Sequence, residues 1–290
     1  MIFGVHMPLF FFISGYLYKN SGINISKWAR AYLFPAIVLC LLEILIRLPL
    51  IIPKHYSVGT WIKTLTIMGG FLVNQPLWFL PSLFCCIVIF SLLIKLERRM
   101  SLLVLITGIV FFSIFKCPTE LYLWPINAFA ALPFFVLGNA FKRIRRYFES
   151  RIYAAISFLA YVLLVSYNGM FSIAHMEFGR LYVIGFFGAF CGIICIWNFG
   201  LLLCKSKLIS NFFSIIGSHS FDILVTHFYL CRILIPKVFD RLESVIPTIS
   251  QLQNSFFVQC LLTVIIVVGY YYFFTIFKKF SIQRALCKKR

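Results

Sequence analysis

The sequence predicts an all-α bundle of membrane-spanning helices, about nine of them, in a single domain over residues 1–290. Three observations carry this. Of the 290 residues, 62% are hydrophobic and 12% charged, where soluble domains carry about 25% charged residues. Apolar blocks follow one another with short polar joints, and a spanning helix needs about 20 such residues. The basic residues gather in alternate joints, as the positive-inside rule requires.

The spans fall near 2–18, 31–52, 76–94, 102–116, 126–141, 152–166, 181–204, 216–236 and 255–277. Pro35, Pro81 and Pro133 lie within spans. Kinks are expected there, since neighbouring helices can satisfy the freed carbonyls. There is no basic leader ahead of an apolar run at Met1, so no cleavable signal is expected. No fixed-period repeat or low-complexity segment interrupts the pattern.

Net charge is +19, a value that in a soluble domain points to nucleic acid. Its placement points elsewhere. One set of joints holds Lys19, Lys27, Arg30, Lys95, Arg98, Arg99, Lys142, Arg143, Arg145, Arg146, Arg151, Lys205 and Lys207, and continues into the basic tail from Lys278 to Arg290. The alternate joints hold only Lys54, Lys63, Lys116, Arg180, Lys237 and Arg241. This bias puts the C-terminus in the cytoplasm and Met1 outside. The partner it implies is the lipid bilayer, with no nucleic acid. Anionic headgroups or a phosphorylated substrate are secondary partners for the same cations. The ten cysteines mostly sit inside apolar blocks without C-x-x-C pairs, so they read as core residues and no metal is expected.

Ionisable and polar side chains within a membrane are expensive, which makes each a functional candidate. His6 shares a helix face with Ile13 and Leu17, with Ser14 close by, and the small Ser14 and Gly15 let another helix approach. A hydrogen-bonded interfacial histidine is the plainer reading. Glu43 and Arg47 are four apart in the second span, stacked as an ion pair, either structural or lining a substrate cavity. Ser218 to His227 is the densest polar stretch in any span. There Ser220, Leu224 and His227 share a face, and Asp222 brings a carboxylate within reach of a histidine, as general-base catalysis uses. A buried hydrogen-bond network accounts for the same residues. Lys27 and Arg30 open the second span as an inside anchor or a phosphate site. Trp78, followed by Phe79, opens the third as an aromatic-belt residue. No nucleotide-binding loop, serine-hydrolase elbow or zinc-protease motif is present. From these residues alone the chemistry stays open between an enzyme and a transporter.

Five motifs together resemble the membrane acyltransferase 3 family. His6–Tyr16 is similar to its F-H-M-P-L-F-F-F-I-S-G-Y pattern. Lys27 to Arg30 lines up with its R-x-x-R signature, with Lys in place of the first Arg, which removes a bidentate donor. Trp78 to Phe84, Leu132 to Gly138, and Ser220 to His227 resemble its W-F-L-x-x-L-F, L-P-F-F-x-L-G and S-x-x-x-x-x-x-H stretches.

The resemblance implies transfer of an acyl group, most often acetyl, from cytoplasmic acetyl-CoA (acyl-CoA) to a hydroxyl of a surface carbohydrate, with no bound cofactor. It places the protein in the bacterial cytoplasmic membrane. It implies Lys27 and Arg30 as acyl-CoA contacts, His6, His227 and Asp222 as catalytic candidates, and Ser14, Gly15, Glu43, Arg47, Trp78, Phe79 and Ser220 around the substrate. Family members have about ten core spans, with the main catalytic His and an Arg on a helix ahead of the F-H-M-P motif. Met1 stands at that motif, so the expectation is a chain without that helix, consistent with Met1 outside. The alternatives are a truncated inactive paralogue, a polysaccharide or lipid exporter, and a non-catalytic membrane scaffold.

Overall fold

The computed structural model describes residues 3–19, 22–51, 59, 75–95, 98–114, 124–229 and 256–287. The helices are α1 (Phe3–Leu17), α2 (Ile25–Trp28), a π-helical turn (Ala29–Leu33), α3 (Phe34–Ile51), a 3-10 turn (Gln75–Trp78), α4 (Phe79–Leu93), α5 (Arg98–Ile114), α6 (Trp124–Phe148), α7 (Arg151–Asn168), α8 (Tyr182–Leu203), α9 (Lys207–Ser218), α10 (Ser220–Tyr229) and α11 (Phe256–Cys287). Among the described residues the one β pairing is an isolated bridge between Ser172 and Glu177. Helix is what an apolar environment imposes, because only a helix satisfies all its backbone donors within one segment. Four described stretches are long and apolar enough to cross a bilayer: Ile25–Leu42, Pro76–Leu93, Arg151–Asn168 and Tyr182–Leu203. The chain forms two compact units, Met1–Leu201 and Leu202–Arg290.

The first unit is built around the crossing of α1 and α6. A Cβ on Gly15 would stand 1.9 Å from the Phe135 carbonyl oxygen, and one on Gly138 would stand 1.9 Å from that of Phe12. The contact is reciprocal: each helix offers a glycine to the other's backbone. Apolar helices in lipid gain little by burying apolar surface, so close van der Waals approach between small residues is what holds them. Phe11, Phe12, Phe134 and Phe135 beside this seam are fully buried.

α4 closes the seam from a second side. Leu77, Trp78, Phe79 and Leu80 are all buried, and the Phe79 ring meets Phe11 edge-on with centroids 4.9 Å apart. Trp78 therefore sits in the core against Phe11, which corrects the expectation of an aromatic belt facing the headgroups. An indole at a span's end serves packing when a neighbouring helix covers it. α7 shows the opposite surface: Leu159 and Leu163 are each 61% exposed, an apolar outer face suited to lipid.

Two local features follow from single residues. Pro35 cannot donate to Ala31, and its ring collides with that carbonyl in a regular helix. One turn earlier the chain widens into the π-helical turn, where the Phe34 N–H donates to the Ala29 oxygen. At the end of α7, Gly169 takes a positive φ of 83°, which favours glycine. Buried Asn168 then organises the loop into α8. Its amide donates to the Phe178 carbonyl at 2.9 Å, and its Oδ1 accepts from the Leu181 N–H at 3.0 Å.

In the second unit the helix expected over 216–236 is broken. α9 stops at Ser218, His219 leaves helical geometry with φ −109° and ψ 20°, and α10 starts at Ser220. Residues 230–236 of that span, and the side chains of Glu43, Arg47 and His227, lie outside the described residues.

Candidate functional site

The basic end of the first unit carries a network joining three helices. Tyr16, at the end of α1, accepts from Arg145 Nη1 at 2.7 Å. Arg145 Nε stands 3.8 Å from Glu149 Oε1 one turn on, and the same oxygen accepts from Trp197 Nε1 of α8 at 3.4 Å. The Trp197 ring meets Tyr16 edge-on, centroids 5.0 Å apart. Beside it, Lys142 Nζ donates to the Tyr18 carbonyl, and Tyr18 shares a 2.7 Å hydrogen bond with Ser91 of α4. Asn139 donates to the Gly15 carbonyl at 3.3 Å. Partial burial, and then the charge of Lys19, lower the Lys142 pKa from the usual lysine value. Sequence reasoning missed this network. Its signal is the dense basic run Lys142–Arg146 in the last turns of α6, which the sequence presents first as a topology anchor.

Lys27 and Arg30 are exposed on the run leading into α3. Asn24 caps that run by accepting from the Lys27 backbone N–H at 2.9 Å. Arg30 Nη2 donates to the neutral Ser26 hydroxyl at 3.2 Å, so its charge stays available to an anion.

The remaining α1 candidates have other places. His6 is half-buried, ten residues before Tyr16, or about 15 Å along the helix at 1.5 Å per residue. The helix thus separates His6 from the basic network. Ser14 donates to the Phe10 carbonyl at 2.8 Å, and Gly15 lies in the seam with α6. Phe79, like Trp78, is packed in the core.

The second unit holds a different kind of site. His219 Nδ1 and Asp222 Oδ2 are 3.0 Å apart. The imidazole lies flat on Phe274 of α11, centroids 3.9 Å apart and planes 4° apart. Thr226 donates to the Asp222 carbonyl at 2.7 Å and shares a hydrogen bond with Tyr270. A histidine oriented by a carboxylate through Nδ1 presents Nε2 as its proton acceptor. Sequence reasoning set Asp222 near His219 and singled out Ser220 and His227 beside them. The structure pairs Asp222 with His219, three residues back at the helix break. Ser220 is exposed at the start of α10.

Apolar helices long enough for a bilayer, cations clustered at one end and glycine-packed seams define a polytopic membrane protein. Residues 1–276 match the family model of the acyltransferase domain, acyltransferase 3. The chain belongs to that family of membrane acyltransferases. No curated protein and no solved structure matches it significantly.

Proposed function

We propose that this chain is a nine-span O-acyltransferase of the bacterial cytoplasmic membrane, its C-terminus in the cytoplasm. It moves an acyl group, acetyl in the simplest case, from acyl-CoA to a hydroxyl of a surface carbohydrate. The observation that carries the reading is the combination of family membership with the exposed cations Lys27 and Arg30. A coenzyme A donor brings phosphates to the cytoplasmic face, and guanidinium and ammonium groups there are its natural contacts. The 19-to-six charge bias supports that orientation.

The transfer needs a base. The acceptor hydroxyl gives its proton to an imidazole, its oxygen attacks the thioester carbonyl, and the coenzyme leaves as thiolate, which is then protonated. His6 and His227 are the candidate bases, with Asp222 as an orienting carboxylate. His219 joins them because of its 3.0 Å contact to Asp222. In the first unit Glu43, Arg47, Ser14, Gly15, Trp78 and Phe79 are the candidate substrate-region residues, Gly15 and the aromatic pair by holding helices together; in the second unit the candidate is Ser220.

The test is purified protein in lipid nanodiscs with acetyl-CoA and the surface glycan of the producing cell. The expected result is thiol release together with a glycan mass gain of one acetyl group. Thiol release absent in every condition overturns the reading. Glycan carried across a sealed vesicle membrane with no mass change identifies an exporter instead.

A further inference from the structure

The feature that the acyl-transfer reading leaves unused is α9. Its 12 residues, KLISNFFSIIGS, segregate completely on a helical wheel. Lys207, Ser210, Asn211, Ser214, Gly217 and Ser218 fall within an arc of about 120°, and Leu208, Ile209, Phe212, Phe213, Ile215 and Ile216 fill the opposite side. The helix carries no acid, and Lys205 and Lys207 stand at its start.

Its packing is readable from two ring contacts. Phe212 meets Tyr271 at 4.9 Å, and His219 meets Phe274 at 3.9 Å. The first contact lies on α9 itself, and the second lies just past its end, where the chain leaves helical geometry at His219. α9 therefore packs on α11 through Phe212, and it stops at His219 before α10 begins. The middle of the apolar face rests on α11, while Leu208 at 79% and Phe213 at 48% exposure stand out on its rims. Asn211 and Ser214 on the polar side are exposed within the unit, where hydrocarbon would leave them without partners.

We infer that α9 is an interfacial helix lying in the membrane plane, with Leu208 and Phe213 inserted among acyl chains and Lys205 and Lys207 on the headgroups of anionic phospholipids. Its polar arc faces water. The ninety-degree alternative, α9 as the first turns of a spanning helix, places four hydroxyl or amide side chains in hydrocarbon. The inference is independent of any acyl transfer.

The test uses the full chain with its native cysteines replaced, carrying in turn Ser210→Cys, Ser214→Cys, Leu208→Cys or Phe213→Cys, in nanodiscs of phosphatidylglycerol and phosphatidylcholine. A membrane-impermeant maleimide reports exposure. The expected result is labelling set by face, with the two polar positions reacting at least about tenfold faster than the two apolar ones. Labelling that decays with distance from Lys207 regardless of face overturns the inference in favour of a spanning helix. Protection of all four positions overturns it in favour of a protein-covered helix, and equal rapid labelling of all four in favour of a water-exposed one. Lys205→Gln with Lys207→Gln should raise labelling of Leu208→Cys several-fold in phosphatidylglycerol and leave it unchanged in pure phosphatidylcholine. Equal effects in both lipids overturn the anionic-headgroup assignment.

Discussion

The two units spend their polar residues differently. In Met1–Leu201 they brace a frame: Arg145, Glu149, Tyr16 and Trp197 tie helix ends together at the basic end, while the seam beneath is glycine against backbone. In Leu202–Arg290 they gather at one helix break, where His219, Asp222, Thr226 and Tyr270 converge beside α11 with partial exposure. The first pattern resists substitution because nothing can move. The second leaves a histidine–carboxylate pair partly exposed. A braced frame and an accessible polar cluster thus appear as separate solutions within one chain.

The sharpest way to break this contrast is Gly15→Ala. Its Cβ would need the space of the Phe135 carbonyl, so α1 and α6 must part. The expected cost is about 3 kcal/mol or more, seen as lost monodispersity and a lower melting temperature in detergent. Gly108→Ala is the control: nothing lies within 4 Å of that Cβ, and the melting temperature should hold. Asp222→Asn comes next. It should lower acetyl transfer by roughly 10²-fold, equivalent to about 2.7 kcal/mol of barrier, with the melting temperature little changed. A large loss of stability with activity retained per folded molecule would make the pair structural and erase the contrast.

Smaller effects refine it. Tyr182→Phe removes a buried hydroxyl that donates to the Ala130 carbonyl. A cost of about 1–2 kcal/mol is expected in a thermal melt. Arg145→Gln removes a bridge whose arginine is 45% exposed, and solvent screening should hold its cost below about 1 kcal/mol. If Arg145→Gln proves the costlier of the two, the basic network rather than the aromatic core dominates the frame.

Much of the helical layout was legible in the sequence. The segments read near 2–18, 76–94, 152–166 and 181–204 correspond to α1, α4, α7 and α8 within a few residues. The small pair Ser14–Gly15 was readable as a close-approach site, and Gly15 is one. Trp78 was misread because hydropathy cannot tell a rim tryptophan from one that a neighbouring helix covers. The stretch after 216 was misread as one continuous span, polar as Ser218 to His227 is, because the break at His219 depends on backbone geometry and on what α11 offers the imidazole. α9 held its amphipathic signal openly, but averaging it with the apolar run before it, over a window of about 20 residues, hides a polar face.

What the sequence determined by itself was the solvent and the secondary structure. Long apolar runs must lie in lipid, lipid forces helices, and the joints' charges bias their direction. Tertiary structure alone decided which glycine meets which carbonyl, which tyrosine meets Arg145, and which ring the His219 imidazole stacks on. Those choices turn on where helices cross and how a chain bends within one residue, and in lipid no hydrophobic force between helices announces them beforehand.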